Sequence, residues 1–205
     1  MSELFSIQLQ NRQQQGRDGV WLDLPTTTEQ VQAALRQIGI SSDNPQGLFI
    51  SGYFAEEEKR FAIPYNMVLA SNVDELNFLA SRLETLSAGE RAELNAALQA
   101  PQSELSSIGR IIDFPENVDY YVHLPDVRGP AQLGDYYLNR SGMVDMPEEW
   151  KGGIDTAQFG RYVAQQEQGA FTQYGYLVKS GDEWQKVHEG QPVPEEYRVL
   201  SFPAP

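Results

Sequence analysis

The side chains able to transfer protons or bind metals are few and scattered. The chain has no cysteine, which excludes disulfides, thiolate zinc ligands and cysteine nucleophiles. Its two histidines, His123 and His188, lie far apart in sequence and argue against a multi-histidine metal site. The densest acidic run is 56–58, where neighbouring glutamates point in different directions and no third ligand stands at a recognisable spacing. We therefore expect no metal and no cofactor, and a structural role for both histidines.

The motifs that accompany common catalytic sites are also missing. The sequence contains no G-x-x-x-x-G-K-[ST] phosphate loop, no G-x-S-x-G elbow and no H-E-x-x-H zinc motif. An enzyme built on clustered carboxylates is the weakest of the hypotheses that we consider. The sequence predicts a protein that acts by binding, not by catalysis.

Charge is the strongest signal in the composition. The 205 residues hold 29 acidic and 15 basic side chains, which gives a net charge of -14 and a pI near 4.5. This balance argues against binding to nucleic acid or to anionic lipid, since both need a basic surface. The surplus is spread over the chain, at -3, -4, -5 and -2 for residues 1–68, 69–105, 106–178 and 179–205. Composition alone favours solubility as the role of this charge.

The N-terminal residues predict a small α/β domain, 1–68. Alternating apolar residues indicate strands at 5–9, 20–24 and 48–54. Thr26 and Glu29 have the spacing of a capping box and predict a helix that ends at Gly39. A three-stranded sheet with one helix on its face is the expected arrangement.

From about residue 71 the apolar period changes to that of helices, which predicts a helical domain, 69–105. Asn72 and a Ser87/Glu90 capping box mark two helix starts, and a third short helix is expected at 103–109. The acids Asp74, Glu84, Glu90 and Glu93 should face solvent. The residues expected in the core are Leu76, Leu79, Leu83, Leu86, Leu94 and Leu98.

The remainder predicts a C-terminal α+β domain, 106–178, and a terminal hairpin or extension, 179–205. Strands are expected at 118–124 and 171–178, a short helix at 131–139, and a helix capped by Asp155. Trp184–Val187 and Tyr197–Phe202 resemble two further strands of a terminal hairpin. The fold class is therefore α+β, as an elongated chain of small domains. No run of about 20 apolar residues and no signal-peptide pattern is present, so we expect a cytoplasmic protein.

Several blocks of residues, taken in order, resemble one protein family. They are Trp21-Leu22-Asp23-Leu24-Pro25, the leucine-rich stretch from Leu69 to Ala96, Met146-Pro147-Glu148-Glu149-Trp150, Phe159-Gly160-Arg161 and Gly169-Ala170-Phe171. Their order and spacing over residues 4–178 resemble those of ArdA antirestriction proteins. The sequence departs from the family motif at two positions. Phe159 stands where the motif has Tyr, and Tyr162 stands where it has Asp, so the local negative charge is lower.

The resemblance implies an acidic protein that mimics DNA and is carried by a mobile genetic element. Such a protein is a homodimer joined through its C-terminal domain, and it occupies the DNA-binding groove of a type I restriction-modification enzyme. The alternative is an ArdA-like interaction module with a different protein partner. The acids expected to form the partner-binding surface are Asp74, Glu75, Glu84, Glu90, Glu93, Glu104, Asp113, Glu116, Asp119, Asp126, Asp135, Asp145, Glu148, Glu149 and Asp155.

An excess of aromatic residues in the C-terminal region supports the expected homodimer, because aromatic side chains are enriched at protein interfaces. The residues concerned are Tyr120, Tyr121, Tyr136, Tyr137, Trp150, Phe159 and Tyr162.

Overall fold

The structure is a computed structural model that describes residues 4–14, 18–56 and 60–204. Two residues of the acidic run, Glu57 and Glu58, lie outside the described part. Helices occur together with two three-stranded antiparallel sheets, which confirms the predicted α+β class. None of the described helices is long and apolar enough to cross a membrane.

The chain forms two compact units, and each unit contains one of the sheets. The first unit comprises Met1–Ser87, Leu105–Glu116 and Lys186–Pro205, and the second comprises Ala88–Glu104 and Asn117–Gln185. The two long helices of the predicted helical domain therefore belong to different units. The boundaries of the four domains predicted from the sequence stay predictions.

The sheet of the first unit confirms the three predicted strands. They are β1 (Phe5–Asn11), β2 (Val20–Leu24) and β3 (Leu48–Phe54), in the order β2-β1-β3. Alternate residues of β1 are buried, so one face of the sheet packs against the core and the other faces outward.

Helix α1 (Thr28–Gln37) covers the inner face of this sheet with Val31, Ala34 and Leu35. Its capping box consists of Thr27 and Gln30, one residue later than the predicted pair Thr26 and Glu29. The prediction failed because three successive threonines can each act as an N-cap. The Thr26 backbone N–H instead donates to the Asn77 side chain at 2.7 Å.

The described residues of the first unit also form the α-helices α2 (Tyr65–Leu69), α3 (Val73–Glu84) and α5 (Ile108–Ile112). Asn72 caps α3 as predicted by accepting from the Glu75 N–H at 2.9 Å. Of the predicted core leucines in this unit, Leu76, Leu79 and Leu83 are fully buried and Leu86 is buried. Helix α5 starts at Ile108, not at residue 103, because the N-cap is Ser107.

The second unit begins with α4 (Ala88–Gln99), on which Leu94 is fully buried and Leu98 half-buried. Its other elements are β4 (Tyr121–Leu124), α6 (Pro130–Asp135) with a π-helical continuation (Tyr136–Arg140), α7 (Glu148–Lys151), α8 (Thr156–Glu167), β5 (Ala170–Thr172) and β6 (Gly175–Lys179). The strand order is β4-β6-β5. The single strand predicted at 171–178 is thus a hairpin, since the chain turns at Gln173 and Tyr174, and Gly175 directly after the turn has φ of +130°.

Helices α6 and α8 pack closely because glycine stands at both crossing positions. A Cβ on Gly134 would lie 2.0 Å from the carbonyl oxygen of Thr156, and one on Gly160 would lie 1.8 Å from that of Pro130. Gly160 belongs to the Phe159-Gly160-Arg161 block, so this block has a packing role. Asp155 caps α8 as predicted, accepting from the Gln158 N–H at 3.0 Å.

The strands predicted at 184–187 and 197–202 are wrong, since no residue from 180 to 204 is in a strand. Carboxylates bind the backbone amides that a hairpin would have paired. Buried Asp113 accepts from the N–H groups of Val187, His188 and Glu189 at 3.3, 2.6 and 3.1 Å. Asp74 accepts from Val199 and Leu200 at 2.7 Å each. We call residues 186–204 the C-terminal segment; it packs within the first unit as irregular chain with one 3-10 turn, Glu195–Tyr197.

Substitution of Asp113 by Asn should release this segment. The amide would keep the shape but lose the charge that strengthens three hydrogen bonds, and its NH₂ group would face N–H donors. We expect a loss of about 1.5–3 kcal/mol in unfolding free energy, the range for hydrogen bonds to charged groups. Urea denaturation and amide hydrogen exchange at residues 187–189 would measure it. Asp119→Asn, at an exposed position, is the control; equal behaviour of the two variants would contradict the assigned role.

Candidate functional site: an acidic surface

The described residues contain one group whose side chains approach closely enough to hold a metal ion. It consists of Asp113, Glu116 and His188, with ligand atoms within 4.8 Å of one another. Protein donors already bind both carboxylates, since Asp113 accepts three backbone amides and Glu116 pairs with Arg82. The arrangement therefore fits attachment of the C-terminal segment better than metal binding.

His123 and His188 have structural surroundings, as the sequence predicted. The His123 Nε2 atom on β4 hydrogen-bonds at 2.9 Å to the carbonyl oxygen of Tyr174, which lies in the turn between β5 and β6. The His188 ring packs edge-on against Phe78 with ring centroids 5.0 Å apart.

The structure divides the fifteen predicted surface acids into three groups. Eight are exposed: Glu84, Glu116, Asp119, Asp126, Asp145, Glu148, Glu149 and Asp155. Six are half-buried: Asp74, Glu75, Glu90, Glu93, Glu104 and Asp135. Asp113 is completely buried, so its assignment to the surface is wrong.

Several of the half-buried acids are held by donors of the same unit. Glu104 accepts from Lys179 at 2.7 Å and from the Tyr120 hydroxyl at 3.2 Å. Asp135 lies 3.2 Å from the Arg140 guanidinium. Asp74, expected to face solvent, instead binds the C-terminal segment. These carboxylates contribute less to an external field than their number suggests, because their charges are partly compensated.

Of the predicted surface acids that are exposed, most lie in the second unit. Six of the eight belong to it, and only Glu84 and Glu116 belong to the first. This unit has 13 acids against 6 bases, a net charge of -7 in 86 residues, whereas the first has the same net charge in 119. The second unit therefore carries the denser negative charge.

Glu93 departs from the prediction that it faces solvent. Its Oε1 atom is out of contact with water and has no hydrogen-bond partner among the described residues. Burial, followed by the nearby charges of Glu90 and Asp119, raises the pKa of Glu93 to about 8. Near neutral pH this carboxyl is largely protonated, and it adds little to the negative charge.

Sequence reasoning did not identify Glu167, which lies at the end of α8. Its carboxylate accepts from the hydroxyl of Tyr137 and, at 2.9 Å, from that of Tyr176. Burial, followed by the hydrogen bond to Glu167 and then by its charge, raises the pKa of both tyrosines. No motif marks this cluster in the sequence, because its members come from three elements.

Exposed aromatic residues are the other feature on the surface. In the second unit Trp150 is 68% exposed and Tyr162 59% exposed, whereas Tyr120 and Tyr121 are buried. In the first unit Trp21 and Phe54 are 49% and 58% exposed on the outer face of the sheet. The aromatic set expected at an interface is thus reduced mainly to Trp150 and Tyr162.

Residues 15–178 match the family model described as antirestriction protein (ArdA). The chain belongs to the ArdA family. This membership implies an antirestriction function and, in general terms, a restriction-modification enzyme as partner. No individual curated protein matches the sequence.

The ArdA match ends at Val178, the fourth residue of β6. It includes both sheets except for the whole of β1, which precedes residue 15, and the last residue of β6. The C-terminal segment lies outside it, although Asp74 and Asp113, which hold that segment, lie inside. This addition to the ArdA core is therefore anchored by residues of the core itself.

The unpartnered carboxyl of Glu93 makes stability depend on pH. In the unfolded chain its pKa is near 4.5 and in the folded chain about 8, so the folded state binds the extra proton between these values. Stability contributed at this site consequently falls as pH rises from about 5 to about 8. Glu93→Gln should remove this slope and stabilise the protein at pH 9 by about 1–3 kcal/mol, the usual cost of an unsatisfied buried group.

Urea denaturation at pH 5, 7 and 9 tests this expectation. Glu149→Gln serves as the control, because Glu149 is exposed in the same unit. A pH dependence unchanged in Glu93→Gln would contradict the assignment.

Proposed function

We propose that the protein inhibits type I restriction-modification enzymes by mimicking duplex DNA. The dense, exposed negative charge of the second unit, within a family of antirestriction proteins, is the observation that carries the proposal. The carboxylates would take the place of phosphates in a groove whose lysines and arginines bind DNA. Binding, not catalysis, is the mode of action.

The amount of charge supports the comparison with DNA. Duplex DNA carries one negative charge per about 1.7 Å of helix axis, so a dimer with twice the net charge of -14 would correspond to about 48 Å, or about 14 base pairs. Protonated Glu93 and paired Glu104 reduce the effective number. The correspondence is one of order of magnitude.

Grouped neutralisation of exposed acids tests the mimicry. Asp119, Asp126, Asp145, Glu148 and Glu149 are exposed in the second unit and do not cap a long helix. Their joint change to Asn or Gln should weaken inhibition of a type I enzyme tenfold or more. Each single change should have little effect, because an exposed charge contributes about 0–1 kcal/mol. Competition against duplex DNA for the enzyme, at several salt concentrations, measures both the affinity and its salt dependence.

A matched control exchanges Asp for Glu and Glu for Asp at the same five positions. It retains the charge and should retain inhibition. Arg128→Gln, at an exposed base, should strengthen binding slightly. Full inhibition by the neutralised, folded variant would contradict DNA mimicry and favour solubility as the role of the acids.

We infer further that the protein is a homodimer in the cytoplasm, joined through the second unit. Trp150 and Tyr162 are the large aromatic side chains most exposed there, and Met143 is 74% exposed. Exposed aromatic and methionine side chains are typical of interface cores.

Sedimentation equilibrium should give a dimer at micromolar concentration. The double variant Trp150→Ser and Tyr162→Ser should be a monomer with its fold intact, because both side chains lie outside the core. A wild-type monomer under these conditions would contradict the inference.

The alternative function is an ArdA-like module with a different protein partner. The C-terminal segment, which lies outside the family match, is the feature that favours it. Purified protein that captures no type I enzyme in a pull-down, in the presence of the intact acidic surface, would support this alternative.

A further inference from the structure

The outer face of the first unit's sheet presents two large aromatic rings to solvent. Trp21 of β2 and Phe54 of β3 are about half exposed, and their ring centroids lie 6.4 Å apart in an edge-to-face arrangement. The rings come from strands on opposite sides of β1. An aromatic pair that spans three strands on an exposed face indicates a contact surface, not a remnant of the core.

The register of the sheet places these rings on one face together with a carboxylate. Trp21 stands opposite Gln8, which stands opposite Gly52; in the next row on this face, Asp23 stands opposite Ser6, which stands opposite Phe54. A Cβ on Gly52 would lie only 3.0 Å from the far edge of the Trp21 indole. The absence of a side chain at Gly52 thus lets the indole lie across the centre of the sheet.

Asp23 provides an oriented negative charge beside the Trp21 ring. It is exposed, and its Oδ1 atom accepts the Ser6 hydroxyl at 2.6 Å. Residues two apart on a strand point to the same face, so a group bound at the carboxylate also meets the indole. An aromatic face next to a carboxylate recognises a guanidinium or ammonium group, through cation–π attraction and a charged hydrogen bond.

We propose that the face formed by Trp21, Asp23 and Phe54, which we call the aromatic face, binds lysine or arginine side chains of the restriction enzyme. The inference rests on the function proposed above, and it adds to the carboxylates a second, aromatic means of recognition. It assigns this contact to the first unit, in which the same net charge is spread over more residues.

The net charge of the first unit favours a cationic partner for the aromatic face. The first unit has 16 acids against 9 bases, a net charge of -7. A second copy of the unit, a nucleic acid or an anionic lipid surface would bring charge of the same sign to the aromatic face. A cationic protein surface brings the opposite sign, and a groove that binds duplex DNA is lined with such cations.

Substitutions of Trp21 test the proposal in the full-length protein. Trp21→Leu keeps an apolar side chain but removes the ring, and it should weaken competition for the type I enzyme by about 3- to 30-fold. Trp21→Phe retains a ring and should lose less than about threefold. The slope of affinity against salt concentration should stay that of the wild type, because no charge is removed. Asp23→Asn should weaken binding and lower the slope.

Phe54→Leu provides a second route should Trp21→Leu fail to fold, as judged by circular dichroism. It should weaken binding in the same direction with an unchanged salt slope. Wild-type affinity in folded Trp21→Leu or Phe54→Leu would overturn the aromatic contact, whereas the five-acid variant would still report on DNA mimicry. Wild-type protein that fails to compete with DNA would overturn both proposals. Binding of a single-stranded oligonucleotide that depends on Trp21 would also overturn the inference, since it would make the face a base-stacking platform.

Discussion

Repulsion between carboxylates is the constraint that this fold must satisfy. A chain with a net charge of -14 loses stability whenever acids are brought together without donors, since charge far from zero disfavours the compact state. The structure meets this requirement in two ways. Some acids stay exposed and apart, whereas Asp74, Asp113 and Glu167 are drawn inward and surrounded by N–H or O–H donors. Glu93 satisfies neither condition, and its raised pKa is the result.

The acids that donors surround, Asp74, Asp113 and Glu167, stabilise the fold. Asp113 and Asp74 organise the C-terminal segment, and Glu167 joins two tyrosines of the second unit. Only part of the formal charge is therefore left to act on a partner. The number of charges that the acidic surface presents therefore depends on how many acids are exposed and how many are bound by donors within the protein, and not on composition alone.

Periodicity predicted those parts of the fold that local patterns determine. The strands β1, β2 and β3 and the buried leucines of α3 follow from alternation and helical spacing, because each has one face on a core. The failures have a common origin in contacts between distant residues. The strands expected at 184–187 and 197–202 were lost to Asp113 and Asp74, which lie 75 and 125 residues away from His188 and Val199. For the candidate site, the sequence predicted an acidic surface but could not separate exposed acids such as Glu149 from buried Asp113.

The C-terminal segment has a consequence for synthesis of the protein. The first unit needs residues 186–204 to cover Asp113 and Asp74, yet these residues are translated after the whole of the second unit. On the ribosome the second unit can be complete while Asp113 of the first unit still lacks the backbone N–H groups of Val187, His188 and Glu189. Domains generally fold as units in the order of synthesis. Here the first unit begins before the second but is completed after it. A nascent chain stalled before Lys186 would contain the N-terminal sheet without the C-terminal segment of the same unit.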